Sequence, residues 1–338
     1  ICDRYGISRT PVHRALSELA DEGIVIRQRR RGTVVNPHWL PSKPAQDDVK
    51  VVVANREWVE YVEQLVPDHL GVSVLAVGYP NLHRHISRAV AEGVAPDLIV
   101  VDSVWVREFT DAGILWALDE LAPTWVTAEY SDFVPRFEHM GRPYAVSAEA
   151  NVAGLWYRRD VLDSLDLDPP RTWDELASVG ARLARSTNEA PLAMPLGINA
   201  GETTTYCLVA LLAANGASVT NETHVTLDSA QTVETLEFIA RSIADELISV
   251  QAVTFDWDRA GELVATGHAS MAIGGTYEAP LIAEAAGLEL GALDEHIGFA
   301  PLPSGPRGSG ATVIGGMAYA IPRQAKRPHD AIRLLREL

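Results

Sequence analysis

Short apolar runs in this 338-residue chain end in clusters of aromatic, acidic and amide side chains. Asn55, Arg56, Glu57 and Trp58 follow VKVVVA, Gly78 and Tyr79 follow VSVLAV, and Asp102, Ser103 and Trp105 follow DLIVV. Further on, Ser147, Glu149 and Asn151 join two strand-like stretches. Gly275, Thr276 and Tyr277 close SMAIGG, and Gly315, Gly316 and Met317 form a loop that another backbone could approach closely. A ring offers a flat apolar face, while carboxylates and amides take hydroxyls in paired hydrogen bonds. Rings and carboxylates interleaved on such loops suit a carbohydrate or a similar small polar ligand. Asp102 and Glu149 stay open between ligand contact and helix capping. Trp105 and Tyr277 stay open between ligand contact and packing, whereas Trp116, Trp156 and Trp173 are read as packing.

Catalytic patterns are absent from the sequence, and neither an enzyme nor a cofactor is expected. There is no G-x-S-x-G elbow, no H-E-x-x-H and no phosphate loop. His83 and His85 are two residues apart on a helical pattern and do not share a face, which argues against a metal pair. Gly305-Pro306-Arg307-Gly308-Ser309-Gly310 reads as a flexible surface loop rather than a phosphate cradle. Cys207 lies in the apolar helix TTYCLVALLAANG as a buried thiol, and with Cys2 as the only other cysteine there is no disulfide framework.

The elements that must position these clusters alternate. VKVVVA (49–54) is apolar almost throughout, as a strand buried on both faces would be. A helix over about 56–68, the strand VSVLAV (72–77), a helix over 81–92 and the strand DLIVV (97–101) follow. Repeated strand–helix–strand units imply a parallel sheet covered by helices, with ligand groups beyond the carboxyl ends of its strands. Thr172-Trp173-Asp174-Glu175 opens a helix with a capping box. Helices are expected over about 203–215 and 229–247, the second burying Val233, Leu236, Ile239, Ala240 and Ile243. No apolar run reaches the roughly 18 residues of a membrane-spanning helix.

The amino-terminal 35 residues differ in character. With 28 basic and 45 acidic residues the chain carries −17, yet residues 1–35 hold seven arginines against four acids and stand at +3. Either an anionic partner or a solvated basic surface accounts for this. Ser8 can cap a helix over 8–22 with Pro11 in its first turn. Ile24–Ile26 and Thr33–Val35 then form a hairpin around Arg29-Arg30-Arg31-Gly32. Residues 36–48, with three prolines, read as a semi-stiff linker.

The stretch YGISRTPVHRALSELADEGIVIRQRRRGTVV resembles the winged helix-turn-helix of the gluconate-repressor (GntR) family of transcription factors. The resemblance implies that Ser8, Arg9, Thr10 and His13 enter a DNA groove, with Arg29, Arg31 and Gly32 on the wing. His13 stands where the family usually has Arg. The family's first helix would precede Ile1, so the head is expected to be a truncated domain.

A second resemblance covers most of 49–338. AEGVAPDLIVVDSVWVREFTDAGILWALDEL, LVATGHASMAIGGTY and IGFAPLPSGPRGSGATVIGGMAYAIP are similar to the extracellular solute-binding proteins, family 1, the carbohydrate-type components of ABC transporters. It implies an α/β, two-lobed fold of the periplasmic-binding-protein type II, with the ligand in the cleft and a truncated C-terminus. Lobe 1 is expected over about 49–148 and 278–338, and lobe 2 over about 149–277. Tyr277 stands where many members place Trp, and Asn151 where members often carry Asp. The ligand set expected from both readings is Arg56, Glu57, Asp102, Trp105, Glu149, Asn151, Gly275, Tyr277 and Gly316. Together the two resemblances imply a cytoplasmic, sugar-responsive transcriptional regulator that binds operator DNA, as a homodimer by the geometry of its half-sites. The alternative is a periplasmic or cell-surface receptor of an ABC carbohydrate transporter, if a leader precedes Ile1.

Overall fold

The computed structural model describes residues 25–28, 32–35, 48–67, 69–122, 137–185, 190–221, 224–308 and 310–338, with the single helical positions Val12, Leu16, Leu19 and Ala20. Strands β1 (Val25–Gln28) and β2 (Gly32–Val35) pair antiparallel with Val25 opposite Val35. This is the hairpin expected of the head, and Gly32 opens its second strand. The other expected DNA contacts, Ser8, Arg9, Thr10, His13, Arg29 and Arg31, lie outside the described residues.

The body then alternates: β3 (Val49–Val53), α1 (Arg56–Leu65), β4 (Val72–Ala76), α2 (Tyr79–Ala91), β5 (Leu98–Asp102) and α3 (Trp105–Asp111). The hairpin β6 (Phe137–His139) and β7 (Arg142–Ser147) follows. Next come β8 (Asn151–Arg158), α4 (Arg159–Ser164), α5 (Trp173–Leu183), β9 (Leu192–Ala193), α6 (Glu202–Ala214) and α7 (Ala230–Ala244). The chain continues through α8 (Arg259–Ala265), β10 (Met271–Gly275), α9 (Ala279–Ala286), α10 (Leu293–His296), β11 (Ile297–Pro301) and β12 (Ile314–Gly315). It returns through β13 (Met317–Ala320) and ends in α11 (Pro328–Glu337).

These elements form two compact units, Ile1–Ala150 with Gly316–Leu338, and Asn151–Gly315. The first holds a sheet of order β4-β3-β5-β13-β7-β6. Its leading three strands are parallel, as the alternating pattern implies, but β13, β7 and β6 pair antiparallel, so the sheet is mixed. Val51–Val53 and Leu98–Val101 are buried, which explains why these strands read as apolar runs with no alternation. The β6–β7 turn takes positive φ at Met140 and Gly141, the backbone a two-residue hairpin turn needs.

In the second unit β8 is central, antiparallel to β10, β11 and β12, while β9 joins β10 in parallel. The pairing of β11 and β12 with β8 corrects one expected boundary. Residues 278–315 belong with the second unit, not the first, and the chain crosses back at Gly315–Gly316. A sequence pattern of strands and helices does not say which sheet a late strand joins. Helix α7 supplies another correction. Val233 and Leu236 are 48% and 50% exposed, while Thr232, Thr235, Phe238 and Ser242 are buried. The helix is rotated because Phe238 stacks on Trp173, with ring centroids 4.2 Å apart. The buried Asn215 side chain also donates to the Gln231 carbonyl at 3.0 Å and binds Thr235. Polar satisfaction and one aromatic stack outweigh the apolar count on the other face. Asn215 also accepts from the Arg307 N–H, so the glycine-rich loop expected to be flexible is pinned there. Among the described residues no helix is long and apolar enough to cross a membrane.

Candidate functional site

In the second unit, β10 ends in Gly274-Gly275 and turns through Thr276–Glu278 into α9. The Tyr277 ring lies over Gly275, where a Cβ would stand 2.5 Å from it. Tyr206, projecting from α6, meets Tyr277 edge to face with centroids 6.0 Å apart, and a Cβ on Gly275 would come within 3.1 Å of it too. The glycine is therefore what lets two rings close over the strand end. Asn151, at the start of β8, accepts from the Thr276 hydroxyl at 3.2 Å through Oδ1, and its carbonyl accepts from the Tyr206 hydroxyl at 3.3 Å. The structure thus gathers Asn151, Gly275, Thr276 and Tyr277 into one cluster, with Gly315 beside Tyr206.

Burial pushes both phenols well above their ordinary range, so they act as neutral groups. The Tyr277 hydroxyl is buried and makes no hydrogen bond of normal geometry; the Thr203 side chain faces it. The ring, not the hydroxyl, is what this residue can present.

Two members of the cluster escape the sequence reading. Tyr206 sits within a helix whose apolar composition reads only as core. Glu278 is 2% exposed and accepts from the Gly275 N–H at 2.9 Å and from the Trp156 indole N–H at 3.2 Å. The signal for it was the spacing Gly275-x-x-Glu278, the acidic half of a capping box. Desolvation pushes its carboxyl up to about 8, with Asp258 adding to the rise. In the unfolded chain the group ionises near 4.5. Stability therefore falls as pH climbs through the interval between these values and is flat above it, at most about 1.4 kcal/mol per pH unit. Glu278→Gln should abolish that slope, so urea unfolding would show the variant gaining on the wild type at about pH 8 relative to about pH 5.

The first unit carries its own strand-end cluster. Asp102, at the end of β5, accepts from the Tyr79 hydroxyl at 2.6 Å, and from the Ser103 hydroxyl and the Val104 N–H at 3.2 and 3.1 Å. These bonds hold its carboxyl against the turn that leads into α3, whose N-cap position is Val104. Trp105, expected among ligand-contacting rings, is instead packing: it is 6% exposed, stacked on Tyr79 at 5.6 Å and met edge-on by His83 at 5.1 Å. A β5 strand so deeply buried carries its first helical residue into the core with it. Tyr79→Phe is expected to cost about 1–3 kcal/mol in urea unfolding, because it strips a short, half-buried bond from the Asp102 carboxyl.

Gly316 accepts from the Ser103 N–H at 3.0 Å and lies against the Glu149 carbonyl, to which Ser147 donates at 2.9 Å. The loops bearing Ser103, Glu149 and Gly316 therefore meet. Asn55 caps α1 by accepting from the Trp58 N–H at 3.1 Å, and Trp58 packs edge-on against Tyr61 and Tyr319. Arg56 and Glu57 open α1 directly after β3, and their side chains lie outside the described residues. His83 lies 3.2 Å from Glu108, and among the described residues no group of side chains could hold a metal ion.

Comparison with known proteins places this geometry. Residues 53–338 match the family model described as bacterial extracellular solute-binding protein, and residues 1–35 match bacterial regulatory proteins of the gntR family. A maltotriose-binding protein of Pyrococcus abyssi is 25% identical over 228 residues, 66% of this chain and 45% of that protein. A probable ABC transporter-binding protein of Deinococcus radiodurans is 24% identical over 72% of this chain and 58% of its own length. The chain thus spans about half the length of the curated relatives it matches. Among solved structures, an ABC transporter solute-binding protein of Thermotoga lettingae with α-D-tagatose superimposes with a TM-score of 0.75. It is 22% identical, over 86% of this chain and 76% of that one. The GacH receptor of Streptomyces glaucescens gives 0.74 at 19% identity, over 86% and 75%. The fold is the two-lobed α/β fold expected.

These findings overturn the transcriptional-regulator reading. Two relatives of the body are named as ABC transporter binding proteins and a third as a maltotriose-binding protein, and the gntR match is confined to the first 35 residues. Nor does the cytoplasmic location, the operator DNA or the homodimer that came with that reading gain support from them. With 53–338 matched, the chain belongs to the bacterial extracellular solute-binding protein family.

Proposed function

We propose that this protein is the solute-capturing receptor of an ABC transporter, working outside the cytoplasmic membrane on a carbohydrate or a similar small polar ligand. The observation that carries the reading is the Tyr206–Tyr277 pair over Gly275, edged by the amide of Asn151 and the hydroxyl of Thr276. A ring face beside hydroxyl and amide groups matches the apolar face and hydroxyl rim of a sugar. Relatives and neighbours named for maltotriose, α-D-tagatose, acarbose and maltose lend support to that class of ligand.

The test is calorimetric titration of the intact chain with maltose, maltotriose, D-tagatose and acarbose, with glycerophosphocholine, bound by one structural neighbour, as the non-sugar arm. Micromolar binding of a sugar is expected, and Asn151→Ala should weaken it about tenfold through loss of a bidentate amide. Binding of glycerophosphocholine alone would replace the carbohydrate by a phosphodiester. Binding of none would remove the reading.

A further inference from the structure

Behind the aromatic pair lies a carboxyl that holds the turn carrying Tyr277. Glu278 Oε2 takes the N–H of Gly275, the residue directly under both rings, and the indole N–H of Trp156 on β8. The same indole N–H also reaches the Gly275 carbonyl at 3.2 Å. One indole and one carboxyl therefore hold Gly275 by both its backbone groups. Space for the carboxyl is made by Gly274, where a Cβ would collide with Oε2, while Gly261 of α8 gives way to Ile282 rather than to the carboxyl. This slot is shaped for an acid that is costly to bury, and packing alone would be better served by an apolar side chain.

We propose that Glu278 is a positioning residue for ligand binding: by fixing Gly275 it sets the Tyr206–Tyr277 wall, so that affinity as well as stability depends on its carboxyl. The inference rests on the receptor reading above. The groups facing Glu278 are Asp258 at the start of α8, Tyr206 and Cys207 of α6, and Tyr277 on its own turn. Burial pushes the two phenols and the thiol upward, so none of these three gains charge between about pH 7 and pH 9. Glu278, pushed up to about 8, does. Ionisation strengthens the two bonds that Oε2 accepts, but the larger cost of a charge in this slot, with Asp258 adding to it, draws water in and loosens the turn.

Two measurements on the intact chain separate this claim from the receptor reading. Hydrogen exchange needs no ligand: in Glu278→Ala the segment 271–278 should exchange about tenfold faster, with the first unit unchanged, while Glu278→Gln, which keeps both accepted bonds, stays close to wild type. In the second, titration with the tightest sugar of the panel should show wild-type affinity falling about tenfold from about pH 7 to about pH 9, and Glu278→Gln holding its affinity throughout. Wild-type affinity that is constant over this range, or that falls equally in Glu278→Gln, overturns the proposal. Unaltered exchange at 271–278 in Glu278→Ala also overturns it. Should no sugar bind, the receptor reading fails while the exchange measurement still decides the position of the turn. If Glu278→Ala does not fold, the glutamine variant and the pH series carry the decision.

Discussion

Tyr277→Ala is expected to lower affinity for the bound sugar by at least tenfold, and it should also be among the more destabilising changes in the second unit. A stacked ring contributes about 0.5–1.5 kcal/mol beyond the area it covers, and tenfold corresponds to about 1.4 kcal/mol. Removing a largely buried aromatic further costs about 3–5 kcal/mol of stability, since the space over Gly275 cannot collapse onto Tyr206. Tyr277→Phe separates the two effects. Its lost hydroxyl makes no hydrogen bond of normal geometry, so stability should hold or rise slightly. Affinity in the phenylalanine variant should stay within about threefold of wild type. Titration calorimetry below the unfolding range of each variant reads this directly. If phenylalanine loses as much affinity as alanine, the ring face is not what the ligand uses.

The second large effect is structural and belongs to one glycine of an adjacent pair. Gly316 has φ +139, and a Cβ there would stand 2.5 Å from the Glu149 carbonyl. Both the backbone conformation and the close approach exclude a side chain, so Gly316→Ala should cost about 2–4 kcal/mol. The loss should fall on the first unit, because Gly316 accepts from Ser103 and sits against the 147–149 loop there. Gly315→Ala is the control. Its nearest obstacle is the Tyr206 ring at 3.3 Å, so it should cost under about 1 kcal/mol. Urea unfolding followed by tryptophan fluorescence and calorimetry compares them. Equal losses would mean that the Gly316 backbone can relax, and its role as the meeting point of three loops would be withdrawn.

Most of the strands were legible in the chain because burial on both faces leaves no alternative to an unbroken apolar run. Val49–Val53, Leu98–Asp102 and Met271–Gly275 all fall within a residue or two of where composition puts them. The strand-end rule also brought Asn151, Gly275 and Tyr277 forward, and these converge. At Trp105 it meets a ring packed on Tyr79 and His83, and at Asp102 a carboxyl that already accepts from Tyr79, Ser103 and Val104. Tyr206 was hidden because, on a helix apolar all round, a phenol that reaches a strand end looks like one more core ring.

What the amino-acid order determined by itself was local: which stretches are strands and helices, and where they are capped. Those follow from nearest-neighbour sterics and from burial, whose imprint on residue type is strong. The tertiary structure alone decided which sheet takes residues 278–315, which face of α7 is inward, and why a carboxyl survives at position 278. Each of these depends on groups far apart in the chain: β12 with β8, Phe238 with Trp173, and Glu278 with Trp156. Such pairings are set by the shape left between elements once they pack, and no periodicity along the chain encodes that shape.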